Sequence, residues 1–293
     1  MTACMEPHEA HSEPARPPGA WLCVLASGSG GNCSALVLDT PERRFVYLID
    51  LGLSPRRTGR DLASVGLSLD DVCGVLLTHL DADHWNPAWI GKIPERAPVL
   101  LHKRHTGRGG RDGACFHRTR LLDAPTELDG GAVVHAAIHA HDDLGVSVFR
   151  FELGSCGGTL GFATDVGRVT PALIDHLAGV DVLAIESNYC PAMQAESDRP
   201  EFLKRRITGG SGHLSNAQCA EAAAAIGPRR GVVLLHLSRQ CNRPELALRE
   251  HAGRPYTVTL TSQFEPTAPI ALAAAGPART GAPTRRQGVL FDG

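Results

Sequence analysis

From Trp21 onward the chain alternates short apolar runs with polar breaks containing Gly or Pro, a pattern that predicts strands before helices. Trp21–Ala26, Ser34–Asp39 and Phe45–Asp50 read as three strands joined by Gly/Ser/Asn and Pro/Glu/Arg turns. Arg56–Val65 has helical spacing, and Cys73–Thr78 reads as a buried strand running into the polar stretch His79–His84. Further strands are expected at Val99–His102, Val133–Ala140, Val146–Leu153 and Thr159–Thr164. Strand and helix then alternate: helix Pro171–Leu177, strand Val180–Glu186, helix Asn216–Ala225, strand Gly231–Leu237, helix Pro244–Ala252 and strand Tyr256–Thr261. Many early strands followed by alternation predict an α/β protein, two sheets faced by helices in the order αββα. One domain is expected over 21–265, between an N-terminal tail, 1–20, and a flexible C-terminal tail, 266–293, both too rich in Pro, Gly and polar residues to pack.

Composition narrows the class. With 43% hydrophobic and 20% charged residues the chain can bury a real core. No apolar run approaches the roughly 18 residues of a membrane helix, and Met1–Pro18 has no signal-peptide core, so no membrane partner is expected. The nine cysteines are scattered without a CxxC pair, as in reduced thiols of a cytoplasmic protein. A net charge of −2 gives no sign of a nucleic-acid binder. Two bound dications would add about +4 locally and reverse the sign of an acidic site.

The densest chemistry is His79-Leu80-Asp81-Ala82-Asp83-His84, four potential ligands in six residues directly after an apolar strand. They converge only if the chain turns sharply, and such crowding of imidazole and carboxylate is costly without a cation. The bland alternative, a loop capping a helix at Trp85 with Asp83 as N-cap, explains one carboxylate and neither histidine. Asp50, His141, Asp165 and His236 each sit at the end of another expected strand, where side chains from one rim of a sandwich can meet. Gly209-Gly210-Ser211-Gly212-His213 is an amide-rich turn ahead of the helix starting near Asn216. Such a turn and helix end suit a phosphate, with Ser215 and Asn216 as substrate-binding candidates, or it is only a turn with Ser215 as N-cap. His213 is a candidate general acid. Lys204-Arg205-Arg206 is either a phosphate track or a solvated helix face, and the basic, Gly-rich Lys103–Arg118 is either a loop that closes over a nucleic-acid strand or, the preferred reading, a solvated loop.

His79–His84 after Cys73–Thr78 resembles the HxHxDH motif of the metallo-β-lactamase fold. Leu25–Cys33, Leu48–Ser54, Glu186–Tyr189, Gly212–Asn216 and His236–Ser238 are, in that order, similar to segments of its YycJ/WalJ-type branch. The resemblance spans about Trp21 to Thr261 and implies the four-layer αββα metallo-β-lactamase sandwich. It also implies two divalent metal ions (Mn²⁺, Zn²⁺ or Fe²⁺). His79, Asp81 and His141 would hold one, Asp83, His84 and His236 the other, and Asp165 would bridge them. Asp50 would orient a ligating histidine from behind. The family normally has His where this chain has Asp81; an oxygen donor there shifts preference toward Mn²⁺ or Fe²⁺ or, alternatively, marks a weakened or single-metal site. There is no room for an inserted second domain between Asp165 and His213.

Two metals about 3.5–4 Å apart can bind a bridging hydroxide and stabilise attacking and leaving oxygens of a phosphodiester. By the resemblance, the expected activity is a 5′→3′ exonuclease on single-stranded DNA in repair or replication, with Asp83 and His213 as catalytic residues. A small-molecule metallohydrolase and a non-catalytic metal-stabilised interaction module remain as alternatives. The tail ends Gln287-Gly288-Val289-Leu290-Phe291-Asp292-Gly293. Gln287, Leu290 and Phe291 resemble the QxxLF-type peptide that docks bacterial DNA repair proteins on the β sliding clamp.

Overall fold

The computed structural model describes residues 19–111 and 116–273. Strands β1 (Gly19–Ala26), β2 (Cys33–Asp39) and β3 (Arg44–Ile49) form an antiparallel meander, and helix α1 (Pro55–Ala63) follows. The Ser54 side chain caps α1 by accepting from Arg57 N, and Pro55 supplies a preset φ at its first turn. β4 (Val72–Leu77) and β5 (Val99–Leu101) continue the sheet in parallel, and after α2 (Lys103–Arg111) so does β6 (Thr119–Leu121). The second sheet begins with the antiparallel strands β7 (Thr126–Leu128), β8 (Ala132–His139), β9 (Val146–Glu152) and β10 (Thr159–Ala163). Helix α3 (Pro171–Leu177) leads to β11 (Val182–Glu186), parallel to β10, and then to α4 (Pro191–Glu196), α5 (Glu201–Thr208) and α6 (Asn216–Ile226). β12 (Gly231–Leu235), α7 (Pro244–Glu250) and β13 (Thr257–Leu260) complete that sheet, and β14 (Ile270–Ala271) returns to pair with β1.

The period of two along the strands decides the layers. Leu22, Val24, Leu36, Leu38, Tyr47 and Ile49 of the first sheet face Phe149, Phe151, Phe162, Ala184 and Val233 of the second in one central core. Their neighbours Cys23, Leu25, Ala35, Val37, Val46 and Leu48 point the other way and bury Leu62 of α1, Trp85 and Trp89. The outer face of the second sheet buries Leu173, Leu177, Cys219, Ala222 and Ala247 from α3, α6 and α7. The expected αββα sandwich is therefore what forms. Its parallel segments point the carboxyl ends of β3, β4, β10, β11 and β12 at one rim, where open parallel sheets place ligands.

Two expectations need correction. Lys103–Arg111 is helix α2 rather than a loop, formed despite a glycine cost of about 1 kcal/mol per residue, with His105 1% exposed. Leu272 is fully buried and β14 is paired, so packed structure continues past the expected boundary at 265. β6, β7 and α4 carry too few residues to show a period, and of α5 only the charged face at Lys204-Arg205-Arg206 is legible. Gln287, Leu290 and Phe291, like residues 1–18, lie outside the described residues.

The loop after β3 meets the loop after β4 with no room for a side chain. A Cβ on Gly52 would stand 1.8 Å from Asp83 O, whereas one on Gly66 (φ +73°) would meet nothing within 4 Å. Gly52→Ala is expected to cost about 3 kcal/mol or more because the obstacle is backbone. Gly66→Ala should cost only about 1 kcal/mol, from its left-handed φ. Equal losses in chemical denaturation would contradict this packing.

Candidate metal centre

Two apolar side chains pull the polar stretch after β4 into a turn. Leu80 and Trp85 are both 4% exposed and belong to the core under the first sheet. His84 N and Trp85 N both donate to Asp81 O at 2.8 Å, and Asn32 N and Leu51 N lash the turn down through Asp83 O and His84 O at 2.7 and 2.8 Å. No regular helix begins at Trp85; the next element is a single 3₁₀ turn, Pro87–Trp89, capped by Asn86. The helix-cap reading of His79–His84 therefore fails.

Outside glycine, left-handed backbone occurs among the described residues only at Asp50 (φ 62°), Asp142 (φ 36°), Asp165 (φ 51°) and His236 (φ 53°). Such conformations cost about 1–3 kcal/mol each and persist where surrounding structure enforces them. Asp50 and His236 directly follow β3 and β12, Asp165 lies two residues past β10, and Asp142 follows His141. The strain is thus concentrated at the rim.

Asp165, 1% exposed, is the meeting point. It contacts His84 Nε2 and His236 Nδ1 directly, and lies 3.8 Å from His79 Nε2 and 3.3 Å from His213 Nδ1. Asp81 Oδ2 is 3.7 Å from His79 Nε2 and 3.8 Å from His141 Nε2. Asp83 Oδ2 is 3.7 Å from His84 Nε2 and 3.5 Å from His236 Nε2. All seven expected ligands therefore come together. Ligand atoms of His79, His141 and Asp165 lie within 4.8 Å of one another, as do those of Asp83, His84 and Asp165. Behind them the other ring nitrogens are held. His84 Nδ1 is 2.6 Å from Asp50 Oδ2, and Asp50 in turn accepts from Thr78 N and Oγ1. His141 Nδ1 donates to Gly212 O at 3.1 Å, and His79 Nδ1 is 3.0 Å from Thr78 Oγ1. This fixes Nε2 as the nitrogen of His79, His84 and His141 that faces the site, whereas His236 turns Nδ1 to Asp165 and Nε2 to Asp83. His84 Nε2 also meets the Asn32 amide at 2.9 Å.

The residues fit metal ions. Neither ring nitrogen of the buried His236 nor Asp165 Oδ1 has a well-formed hydrogen bond, although each is withdrawn from water. Four imidazoles and three carboxylates converging through unshared lone pairs suit borderline and harder dications such as Zn²⁺, Fe²⁺ or Mn²⁺. With protons as the only counter-charge the site is unbalanced. Burial pushes the His84 and His236 imidazolium forms down, but the surrounding carboxylates, Asp165 with Asp50 at His84 and Asp165 with Asp83 and Glu186 at His236, together hold both well above the usual imidazole range. Burial and the charge of His84 hold His79 well below that range. Asp165 lies well below the carboxylate range because, against burial, His236 and His84 stabilise its anion. The His141 hydrogen bond, with His79 and Arg108, does the same for Asp81.

Glu186, at the end of β11 and fully buried, belongs to the centre and received no role from the sequence. Its Oε1 is 2.6 Å from His213 Nδ1 and 3.4 Å from His236 Nδ1, while Oε2 accepts from Val166 N and Leu214 N. A glutamate closing the apolar run Val182–Ile185 was the available signal. His213 lines the cleft; burial opposes its charge, but Glu186 and Asp165 push its pKa up to about 9. Arg108 of α2 reaches Asp81 Oδ1 at 2.6 Å. Ser215 and Asn216 correct the substrate-binding expectation. Ser215 caps α6, and the Asn216 amide, 2% exposed, is spent on Ser187 and Asn242. Neither lines the cleft of about 350 Å³ above His79, Asp81, Asp83, His141, Asp165 and His236.

These shifts set a pH dependence for chelator-treated protein. The raised His84 and His236 contribute stability that is present below the unfolded imidazole value and lost as pH rises through their folded values. The depressed Asp81 and Asp165 contribute stability present above the unfolded carboxylate value and lost on acidification. Melting curves from about pH 5 to about pH 10 should therefore fall on the alkaline side without metal. Added Mn²⁺ or Zn²⁺ should remove that fall, because a cation replaces the protons. An alkaline decline unaffected by metal would show that these histidines do not bind it.

Residues 47–237 match the beta-lactamase superfamily domain. The chain is 28% identical over 242 residues to exodeoxyribonuclease YycJ of Bacillus anthracis, covering 78% of this chain and 86% of that protein. It is 27% identical over 235 residues to exodeoxyribonuclease WalJ of Streptococcus pneumoniae, covering 76% and 84%. Among solved structures, the metallo-beta-lactamase fold protein YhfI of Bacillus subtilis superposes with a TM-score of 0.63 at 16% identity, over 86% of this chain and 99% of that one. With its strand-end histidines and aspartates gathered on one rim, the chain belongs to the beta-lactamase superfamily, where its relatives are of the YycJ/WalJ type.

Proposed function

We propose that this protein is a metal-dependent phosphodiester hydrolase acting on single-stranded DNA, a 5′→3′ exonuclease of cytoplasmic repair or replication. The observation that carries the reading is His213, held by Glu186 at 2.6 Å on the wall of a cleft whose floor is the candidate metal centre. The relatives named exodeoxyribonucleases support it. Two divalent cations held by His79, Asp81 and His141, and by Asp83, His84 and His236, with Asp165 between, would supply Lewis acidity to the phosphate and lower the pKa of water. Asp50 and Gly212 O keep the ligating rings in one tautomer. Asp83, a quarter exposed at the cleft, orients the attacking water. Glu186 takes His213 Nδ1, which leaves Nε2 to give a proton to the leaving 3′-oxygen.

Single-stranded DNA labelled at its 5′ or 3′ end, incubated with Mn²⁺, should lose nucleotides from the 5′ end, and Asp83→Ala should abolish this. Activity surviving in Asp83→Ala would point to a contaminating nuclease. His213→Ala should lower turnover by roughly 10²–10⁴ with metal content retained. Loss of metal instead would make His213 a ligand, and turnover confined to small esters would favour a small-molecule hydrolase.

The same reading extends to the tail, where Gln287, Leu290 and Phe291 would tether the enzyme to the β sliding clamp. Purified clamp should bind the intact protein and not the Gln287→Ala, Leu290→Ala, Phe291→Ala triple variant. Equal binding, or none to either, removes the clamp without touching the metal centre.

A further inference from the structure

A cleft that receives a polyanion needs positive charge that is not already neutralised, and the arginines here divide on that point. Arg206 is bonded to Asp142 through two nitrogens and Arg108 to Asp81, so each has a carboxylate partner. Among the described residues Arg199 and Arg239 make no ion pair. Arg199 donates from Nε to Gln240 Oε1 at 3.0 Å, from Nη1 to Gln194 Oε1 at 3.2 Å and from Nη2 to Ser238 Oγ at 3.4 Å. Three neutral oxygens fix the guanidinium without cancelling its charge. The Arg239 guanidinium lies 5.0 Å from the ring centre of Phe264, which is 62% exposed. A groove lined by Ser29, Arg199, Ser238, Arg239 and Gln240 thus offers two guanidiniums, two hydroxyls and an amide, and no carboxylate. Ser29, Arg199, Ser238 and Gln240 line the cleft as well, so the groove opens onto the candidate metal centre.

We infer that this groove is the subsite for the nucleotide phosphate next to the scissile bond, with Arg199 as its anchor; the inference rests on the nucleic-acid reading above. The preset guanidinium presents its fork to phosphate oxygens with little ordering left to do, and the hydroxyls of Ser29 and Ser238 flank it. Arg239 adds the second charge, and its stack on Phe264 offers an exposed aromatic face where a neighbouring base can lie. The phosphate is either an internal diester or the terminal monophosphate of the strand.

The test measures binding of labelled oligothymidylate, with Ca²⁺ replacing Mn²⁺, across a salt series, and cleavage of the same oligonucleotide with Mn²⁺. Arg199→Ala should weaken binding about tenfold and lower the salt slope by about one. Arg199→Lys should keep the slope but bind more weakly than wild type, and Arg229→Ala, an exposed arginine outside the groove, should change neither. A merely structural Arg199 would lower the melting temperature and leave the slope alone. An Arg199→Ala effect larger for 5′-phosphorylated than for 5′-hydroxyl oligonucleotide identifies the terminal phosphate, and equal effects identify an internal one. If wild type cleaves the oligonucleotide and Arg199→Ala keeps its affinity and slope, the subsite is wrong and the nuclease reading stands. If Arg199→Ala does not fold, unchanged affinity in Arg199→Lys overturns the subsite equally. If wild type hydrolyses bis-para-nitrophenyl phosphate yet neither binds nor cleaves the oligonucleotide, the nucleic-acid reading fails and takes the subsite with it.

Discussion

Asp165 is all but withdrawn from solvent, and imidazoles of His79, His84, His213 and His236 stand around it. A carboxylate withdrawn to that depth needs counter-charge, and several histidines withdrawn beside it need anions. Each group therefore makes the others tenable, and the loops that carry them have little freedom to move separately. Asp50 behind His84, Gly212 O behind His141 and Glu186 behind His213 extend the same constraint outward into the fold. Protons can satisfy it only by distorting the titration of nearly every member. Divalent cations would satisfy it with the ring nitrogens already turned the right way.

The sandwich supplies the means. Parallel strands align their carboxyl ends, and a left-handed residue just past β3, β10 and β12 turns the chain at the rim. Local strain and burial of charge are both unfavourable, and they coincide in a few residues whose support is the apolar packing on both sides of each sheet. Leu80 and Trp85 show the coupling at short range. Their burial in the outer core drags the residues between them into the tight turn that presents Asp81, Asp83 and His84.

Much of this is legible in the chain because it is local. Alternating apolar runs mark most strands, and His79–His84 crowds its ligands into one turn. Asp50, Asp165 and His236 declare themselves by sitting where an apolar run stops. What stays hidden depends on partners distant in sequence. Asn216 looks exposed at a helix start, yet its amide is consumed by Asn242 and Ser187, 26 and 29 residues away. Arg108 disappears in a Gly-rich segment because the propensity of those residues argues against the helix α2 that carries it. Glu186 reads as an ordinary strand end until His213 arrives against it.

Asp81 brings these strands of argument together. Where the resemblance leads one to expect imidazole, the Asp81 carboxylate adds a negative charge to a rim already rich in them. Arg108 answers it: Asp81 Oδ1 is taken by the guanidinium at 2.6 Å, and only Oδ2 is turned toward His79 and His141. The pair returns the local charge to what a neutral histidine would give, and it leaves a single oxygen facing inward where one nitrogen would have been. The departure in the motif and the helix that the sequence conceals are thus two halves of one compensation. As a metal ligand Asp81 would make its site harder in its donors, and Arg108 would keep that site from becoming more anionic.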